Sequence, residues 1–86
     1  MEIWYVYAIF SYKSEIIYVG MSQNPEIRLK EHNSGKVRST KAHYPWIKFY
    51  EELVGDRNEA RKREKYFKSS SGKNKLRNIL NRFPKP

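Results

Sequence analysis

The sequence has no cysteine, which excludes a disulfide framework and a thiolate zinc site, and its two histidines confine any imidazole ligation to a pair. No apolar run is long enough to span a bilayer, so no membrane segment is expected. No secretory signal pattern is visible either, and the cytoplasm is the expected compartment. Acidic residues are scarce: nine Asp and Glu stand against eighteen Lys and Arg, a formal net charge of +9. That balance favours a polyanionic partner, nucleic acid before any other. The excess is unevenly spread. Residues 56–86 carry eleven basic and three acidic side chains, whereas residues 1–55 carry seven and six. The C-terminal third is therefore the electrostatic handle.

What is present reads as one small folded domain. A chain of 86 residues that is 38% hydrophobic and 15% aromatic has room for a modest core and is too apolar for a disordered chain. A single domain over 1–83 is expected, with 84–86 as a proline-containing tail. Ile3 to Phe10 is rich in β-branched and aromatic residues on both alternating faces, as in a strand covered on two sides. The polar break Ser11–Glu15 joins it to Ile16–Met21, predicting an antiparallel hairpin. Asn24 is suited to cap a helix that begins at Pro25 and carries Glu26 in its first turn, with Gly35 at its C′ position. Residues 36–44 read as an exposed basic loop, and Pro45 opens a third strand, Trp46 to Leu53. Asp56 with Glu59 has capping-box spacing for a helix from Arg57 to Lys68. The run Ser69–Gly72 is expected to end it, before a last helix over Lys73–Arg82 with Leu76, Ile79, Leu80 and Phe83 as its apolar stripe. The order β-β-α-β-α-α predicts an α/β domain, a small three-stranded mixed or antiparallel sheet flanked by helices.

Chemistry concentrates in four places. Tyr5, Tyr7 and Ile9 share one face of the first strand and Tyr18 and Gly20 one face of the second, so phenols from neighbouring strands converge. Gly20 is expected to let a phosphate approach the backbone. Arg28 and His32, four residues apart, project from one helix face; arginine suits a phosphate whose charge is developing, and a histidine near its ordinary pKa can orient a phenol or move a proton. Glu64 recurs with Ala60 and Phe67 on the inward stripe of its helix, while Arg61, Lys62, Lys65 and Lys68 cover the rest. An inward carboxylate needs a partner, either a base such as Arg28 or a hard cation. His43 fits no such pattern and is expected to be structural or solvent-exposed.

The segments Tyr5-Val6-Tyr7 and Tyr18-Val19-Gly20, the helix Asn24–Lys36 with Arg28 and His32, and Glu64 within Glu59–Lys65 resemble, in that order, the motifs of the GIY-YIG endonuclease superfamily. The likeness covers nearly the whole chain and comes nearest to small single-domain members related to the nuclease domain of excinuclease C. It implies a GIY-YIG-type fold and a metal-dependent phosphodiesterase acting on DNA rather than RNA, at branched, flapped or otherwise distorted sites, in repair or recombination. Tyr7, Tyr18, Arg28, His32 and Glu64 become the implied catalytic set, with Glu64 the implied ligand of one Mg²⁺ or Mn²⁺. Gly20, Lys36, Arg38, Lys41, Arg61, Lys62, Lys65, Lys68 and Lys73 are the expected nucleic-acid contacts, and specificity is expected to come from a protein partner. Where many relatives carry a lysine after the second half-motif, this chain has Met21; Lys41 and Arg38 are the candidates to replace it. Larger members also use an asparagine, and Asn74 and Asn78 lie near that place. The hydroxyl-rich stretches Ser39-Thr40-Lys41 and Ser69–Lys73 are further phosphate candidates, although the second lacks the spaced glycines of a P-loop. The competing expectation is a non-catalytic nucleic-acid-binding module, or an RNA-associated protein whose exposed Tyr12 and Tyr44 stack on bases.

Overall fold

The computed structural model describes residues 2–83; the expected tail, 84–86, lies outside them. The elements run β1 (Trp4–Ser11), β2 (Ile16–Ser22), α1 (Pro25–Asn33), a 3₁₀ turn (Lys41–His43), β3 (Trp46–Gly55), α2 (Arg57–Lys68) and α3 (Ser70–Arg82). The sheet order is β2-β1-β3 with both pairings antiparallel, so the expected β-β-α-β-α-α domain is the one observed.

The two-sided apolar pattern of β1 has a direct physical consequence: this strand is central and both its faces are covered. Val6 and Ala8 point to one side, where they join Val19 and Phe49 beneath Ala60 and Phe67 of α2 and Leu76 and Leu80 of α3. Tyr7 and Ile9 point to the other, where they pack with Trp46, Tyr18 and Leu29 of α1. The register sets Tyr7 opposite Gly20 on β2 and Glu51 on β3, and Ile9 opposite Tyr18.

Local chemistry ends each helix as the residues dictate. Asn24 accepts from the Ile27 N–H at 3.2 Å with Pro25 beginning α1, and Gly35 lies beyond the helix at φ 81°. Asp56 accepts from the Glu59 N–H at 2.9 Å and starts α2. Arg63 then fastens α2 to β3: its Nε and Nη2 donate to the two oxygens of Glu52 at 2.7 and 3.1 Å, and its guanidinium stacks 4.7 Å from the Phe67 ring centre.

Two expectations change. The run Ser69–Gly72 is not a break between distant helices, because α3 begins at Ser70, three residues before Lys73. Ser69 alone makes the joint: its hydroxyl donates to the Tyr66 carbonyl at 2.5 Å and accepts from the Gly72 N–H at 3.3 Å, which also removes it from any phosphate-binding role. Residues 36–44 are not simply an exposed loop either. Thr40 is 1% exposed, Lys41–His43 forms a 3₁₀ turn, and His43 is structural, its carbonyl accepting from Ser11 Oγ at 2.6 Å and its Nδ1 lying 2.7 Å from Ser14 Oγ. These bonds tie the hairpin turn to the segment that precedes β3.

Gly72 is where α3 crosses the end of α2. A Cβ there would run into the Tyr66 carbonyl oxygen and stand 2.5 Å from Phe67 Cα, both backbone atoms that cannot swing aside. Alanine is about 1 kcal/mol better than glycine in a helix. Gly72→Ala should nonetheless destabilise the protein by about 2 kcal/mol or more through overpacking. Urea denaturation checks this: an unchanged or higher midpoint would show that the two helices separate freely.

Candidate active site

The face of the sheet that carries Tyr7 and Tyr18 is closed by α1, and His32 is the residue that joins them. His32 is fully buried, with its ring centre 5.9 Å from that of Tyr7 and 5.2 Å from that of Tyr18. Its Nε2 lies 2.8 Å from the Tyr7 phenol oxygen and its Nδ1 lies 2.7 Å from Thr40 Oγ1. The Thr40 carbonyl accepts from Trp46 Nε1 at 3.0 Å, and Asn33 exchanges two hydrogen bonds with the Trp46 backbone, at 2.6 and 3.0 Å. The second half of α1, the 36–44 segment and the start of β3 are thus fixed around one imidazole.

Burial governs the protonation states here. His32 is pushed down to about 4, first by burial and then by the nearby Arg28 charge, so the ring is neutral at physiological pH. The expectation that His32 works near its ordinary pKa is therefore corrected: the ring neither gains nor loses a proton between about pH 5 and 8. The Tyr7 phenol is pushed up to about 12, first by burial and then by Tyr18; Arg28 pulls it down and Glu64 pushes it up, without reversing the effect of burial. Tyr7 is a phenol that keeps its proton.

Arg28 sits one turn before His32, as their spacing implies, and both act on Tyr7. Its side chain is 40% exposed, bonds Glu31 at 2.8 Å and opens onto a cleft lined by Met21, Ser22, Asn24 and Ile27. Glu64 lies on α2 between the buried Ala60 and Phe67, its side chain 22% exposed. Its ion-pair partner is not Arg28 but Lys68, one turn on, at a loose 3.7 Å. Among the described residues no cluster of three or more metal-ligating side chains occurs. A single hard cation that keeps most of its waters does not require one, and Glu64, partly exposed and only loosely paired with Lys68, is a fitting oxygen donor for it.

Gly20 is reassigned. A Cβ at this position would stand 2.5 Å from the Tyr7 phenol oxygen and 2.7 Å from its Cζ, so the glycine makes room for Tyr7 and not for a phosphate. Thr40 is reassigned too, since its hydroxyl turns inward to His32. Tyr12 packs edge-on against Phe10 at 5.1 Å and its hydroxyl is buried, which removes it as a stacking platform; Tyr44 stays 52% exposed. Lys36, Arg38, Lys41, Arg61, Lys62, Lys65, Lys68 and Lys73 are all exposed. Arg38 and Lys41 are not among the charges acting on Tyr7; the cation that lowers it is Arg28. Asn74 and Asn78 are exposed on α3. Lys73 lines a separate cleft with Arg77, Phe10, Ile16 and Leu80. The residue that sequence reasoning missed is Thr40 as the partner of His32; a lone threonine in a basic, hydroxyl-rich stretch gives no signal of it.

A UPF0213 protein of Staphylococcus haemolyticus is 37% identical over 79 residues, 91% of this chain and 95% of its own length. A UPF0213 protein of Bacillus licheniformis is 40% identical over 72 residues, 83% of this chain and 74% of its own length. No solved structure matches significantly. The pattern of the GIY-YIG catalytic domain matches residues 3–78, from the first strand to the last helix, and this chain belongs to the GIY-YIG family.

Proposed function

We propose that this protein is a metal-dependent endonuclease that hydrolyses phosphodiester bonds in DNA, with branched or flapped sites as its preferred substrates. The observation that carries the reading is the buried Tyr7–His32 pair at 2.8 Å, with Arg28 one turn before His32, in a chain whose GIY-YIG match spans residues 3–78.

In the mechanism, the scissile phosphate lies against Arg28, whose fork of donors meets the charge that builds on the equatorial oxygens. Tyr18, half-buried and edge-on to His32, orients the attacking water and, as its phenolate, takes a proton from it as the water oxygen bonds to phosphorus and the bond from phosphorus to the leaving oxygen breaks. Tyr7 keeps its own proton and holds the His32 side of the site rigid. Glu64 is the residue that would hold Mg²⁺ or Mn²⁺, which when bound supplies Lewis-acid stabilisation of the phosphate and leaving oxygens. The exposed Arg61, Lys62, Lys65 and Lys68 of α2 draw in the backbone of the nucleic acid. Sequence-specific recognition falls to a partner, since α2 spends its inward face on the core and its outward face on charge.

Glu64→Gln tests the reading by separating cation from nucleic acid. It preserves shape and removes the charge a hard cation needs, so Mg²⁺-dependent nicking of branched DNA should be lost while DNA affinity stays at or slightly above wild type. Charge reversal at Lys62, Lys65 and Lys68 should instead weaken binding, flattening the plot of log affinity against log salt by about 0.9 per lost phosphate contact. A Glu64→Gln protein that still cleaves in a Mg²⁺-dependent manner would contradict the assignment.

The pH profile distinguishes the two tyrosines. With water activation resting on a phenol, cleavage should rise from pH 6 through about 9 with no step at about 6.5, the ordinary histidine value, because His32 is already neutral throughout. Tyr18→Phe should remove that rise, whereas Tyr7→Phe should lower the rate across the range and keep its shape. A rise that survives in Tyr18→Phe assigns the base elsewhere.

A further inference from the structure

His32, buried as a neutral ring, has one proton to place on two nitrogens, and both nitrogens are engaged: Nε2 by Tyr7 at 2.8 Å and Nδ1 by Thr40 at 2.7 Å. The tautomer therefore sets the direction of both hydrogen bonds at once. The two ends of the chain agree on which it is. At the Thr40 end, the hydroxyl lies 3.3 Å from the Val37 carbonyl oxygen, a group that can only accept. The hydroxyl proton goes there, and its lone pair faces His32 Nδ1–H. At the Tyr7 end, the buried phenol has a proton to place, and the nearby Arg28 guanidinium has no acceptor to offer it. The phenol proton then needs an acceptor, and His32 Nε2 is the one in hydrogen-bond reach.

We propose that Thr40 is a positioning residue of the active site: by accepting Nδ1–H it fixes His32 as the Nδ1–H tautomer and so holds Tyr7 as a proton donor to Nε2. The inference rests on the nuclease reading for its consequence and on geometry for its substance. A Tyr7 committed to His32 cannot take a proton from water, which leaves that step to Tyr18 and presents the Tyr7 oxygen lone pair to Arg28. Thr40 is built into this place: it is 1% exposed, its N–H donates to Val37 O at 3.1 Å and its carbonyl receives the Trp46 indole N–H at 3.0 Å. The hydroxyl has no freedom to serve a ligand. Threonine also suits the task chemically, because a hydroxyl accepts and donates at the same time, whereas valine, of the same shape, does neither.

The test is ¹⁵N NMR of the His32 ring in the wild type, Thr40→Ser and Thr40→Val, with nicking rate and DNA affinity measured on the same three proteins. The wild type and Thr40→Ser should show a protonated Nδ1 and a bare Nε2. Thr40→Val leaves Nδ1–H facing a methyl group and should shift the ring toward the Nε2–H tautomer, which in turn costs the Tyr7 proton its acceptor. Nicking should fall roughly tenfold in Thr40→Val, the scale of one lost orienting hydrogen bond, and be restored by Thr40→Ser, with DNA affinity equal in all three. An Nε2–H tautomer in the wild type overturns the proposal without reference to any variant, and so does a Thr40→Val protein that keeps Nδ1–H. If Thr40→Val does not fold, the wild-type and Thr40→Ser spectra decide. Tautomers that move as stated in proteins that never cleave would uphold the positioning role and count against the nuclease reading instead.

Discussion

The hydrogen-bonded chain from Tyr7 through His32 to Thr40 is the constraint on which the rest of the site depends. It links the central strand, the first helix and the segment before β3 through three side chains that are each no more than 1% exposed. Polar groups this deep are costly unless each is matched, and here each donor finds an acceptor. The same chain accounts for Gly20, whose missing side chain is the space the Tyr7 ring occupies, and for Trp46, whose indole and backbone clamp Thr40 and Asn33. Remove the imidazole and three elements lose their common anchor.

Charge is arranged around this neutral centre and not within it. Arg28 stands at the rim, partly exposed, with Glu31 to hold it. Glu64 approaches from α2, on the other side of the sheet from α1, and its weak bond to Lys68 leaves the carboxylate available. By contrast Arg63, on the same helix, is spent on Glu52 and the Phe67 ring, which makes it part of the scaffold and separates it from the solvated cations Arg61, Lys62, Lys65 and Lys68. On this basic helix Arg63 is therefore spent on the scaffold, while the exposed Arg61, Lys62, Lys65 and Lys68 are left for a polyanion.

Much of this was legible in the sequence, for reasons that differ from element to element. The β1 pattern declared a two-sided strand, and the Asn24 and Asp56 caps marked helix starts that the structure places at Pro25 and Arg57. The four-residue spacing set Arg28 one turn before His32, and the stripe containing Glu64 left it partly buried between Ala60 and Phe67. These are local periodicities, readable from the chain because the geometry of a helix or strand is itself local. What was not legible depends on contacts between distant segments. Thr40 looked like an exposed hydroxyl because its partner is eight residues away across a turn, and Gly20 looked like an opening because the ring that fills it comes from another strand. The Ser69–Gly72 run looked like a break because the requirement for glycine arises only where α3 meets the backbone of α2.

The central claim is that Arg28, Tyr18 and Glu64 surround a single phosphate and a single cation beside this buried chain. A crystal structure of the protein with a short branched DNA bearing a non-cleavable phosphorothioate, grown in Mn²⁺ and phased for anomalous signal, tests it most directly. The account predicts one manganese peak against the Glu64 carboxylate, with the modified phosphate between it and Arg28 and within reach of the Tyr18 hydroxyl. Manganese bound elsewhere, or the DNA seated only in the Lys73–Arg77 cleft with Arg28 untouched, would contradict it.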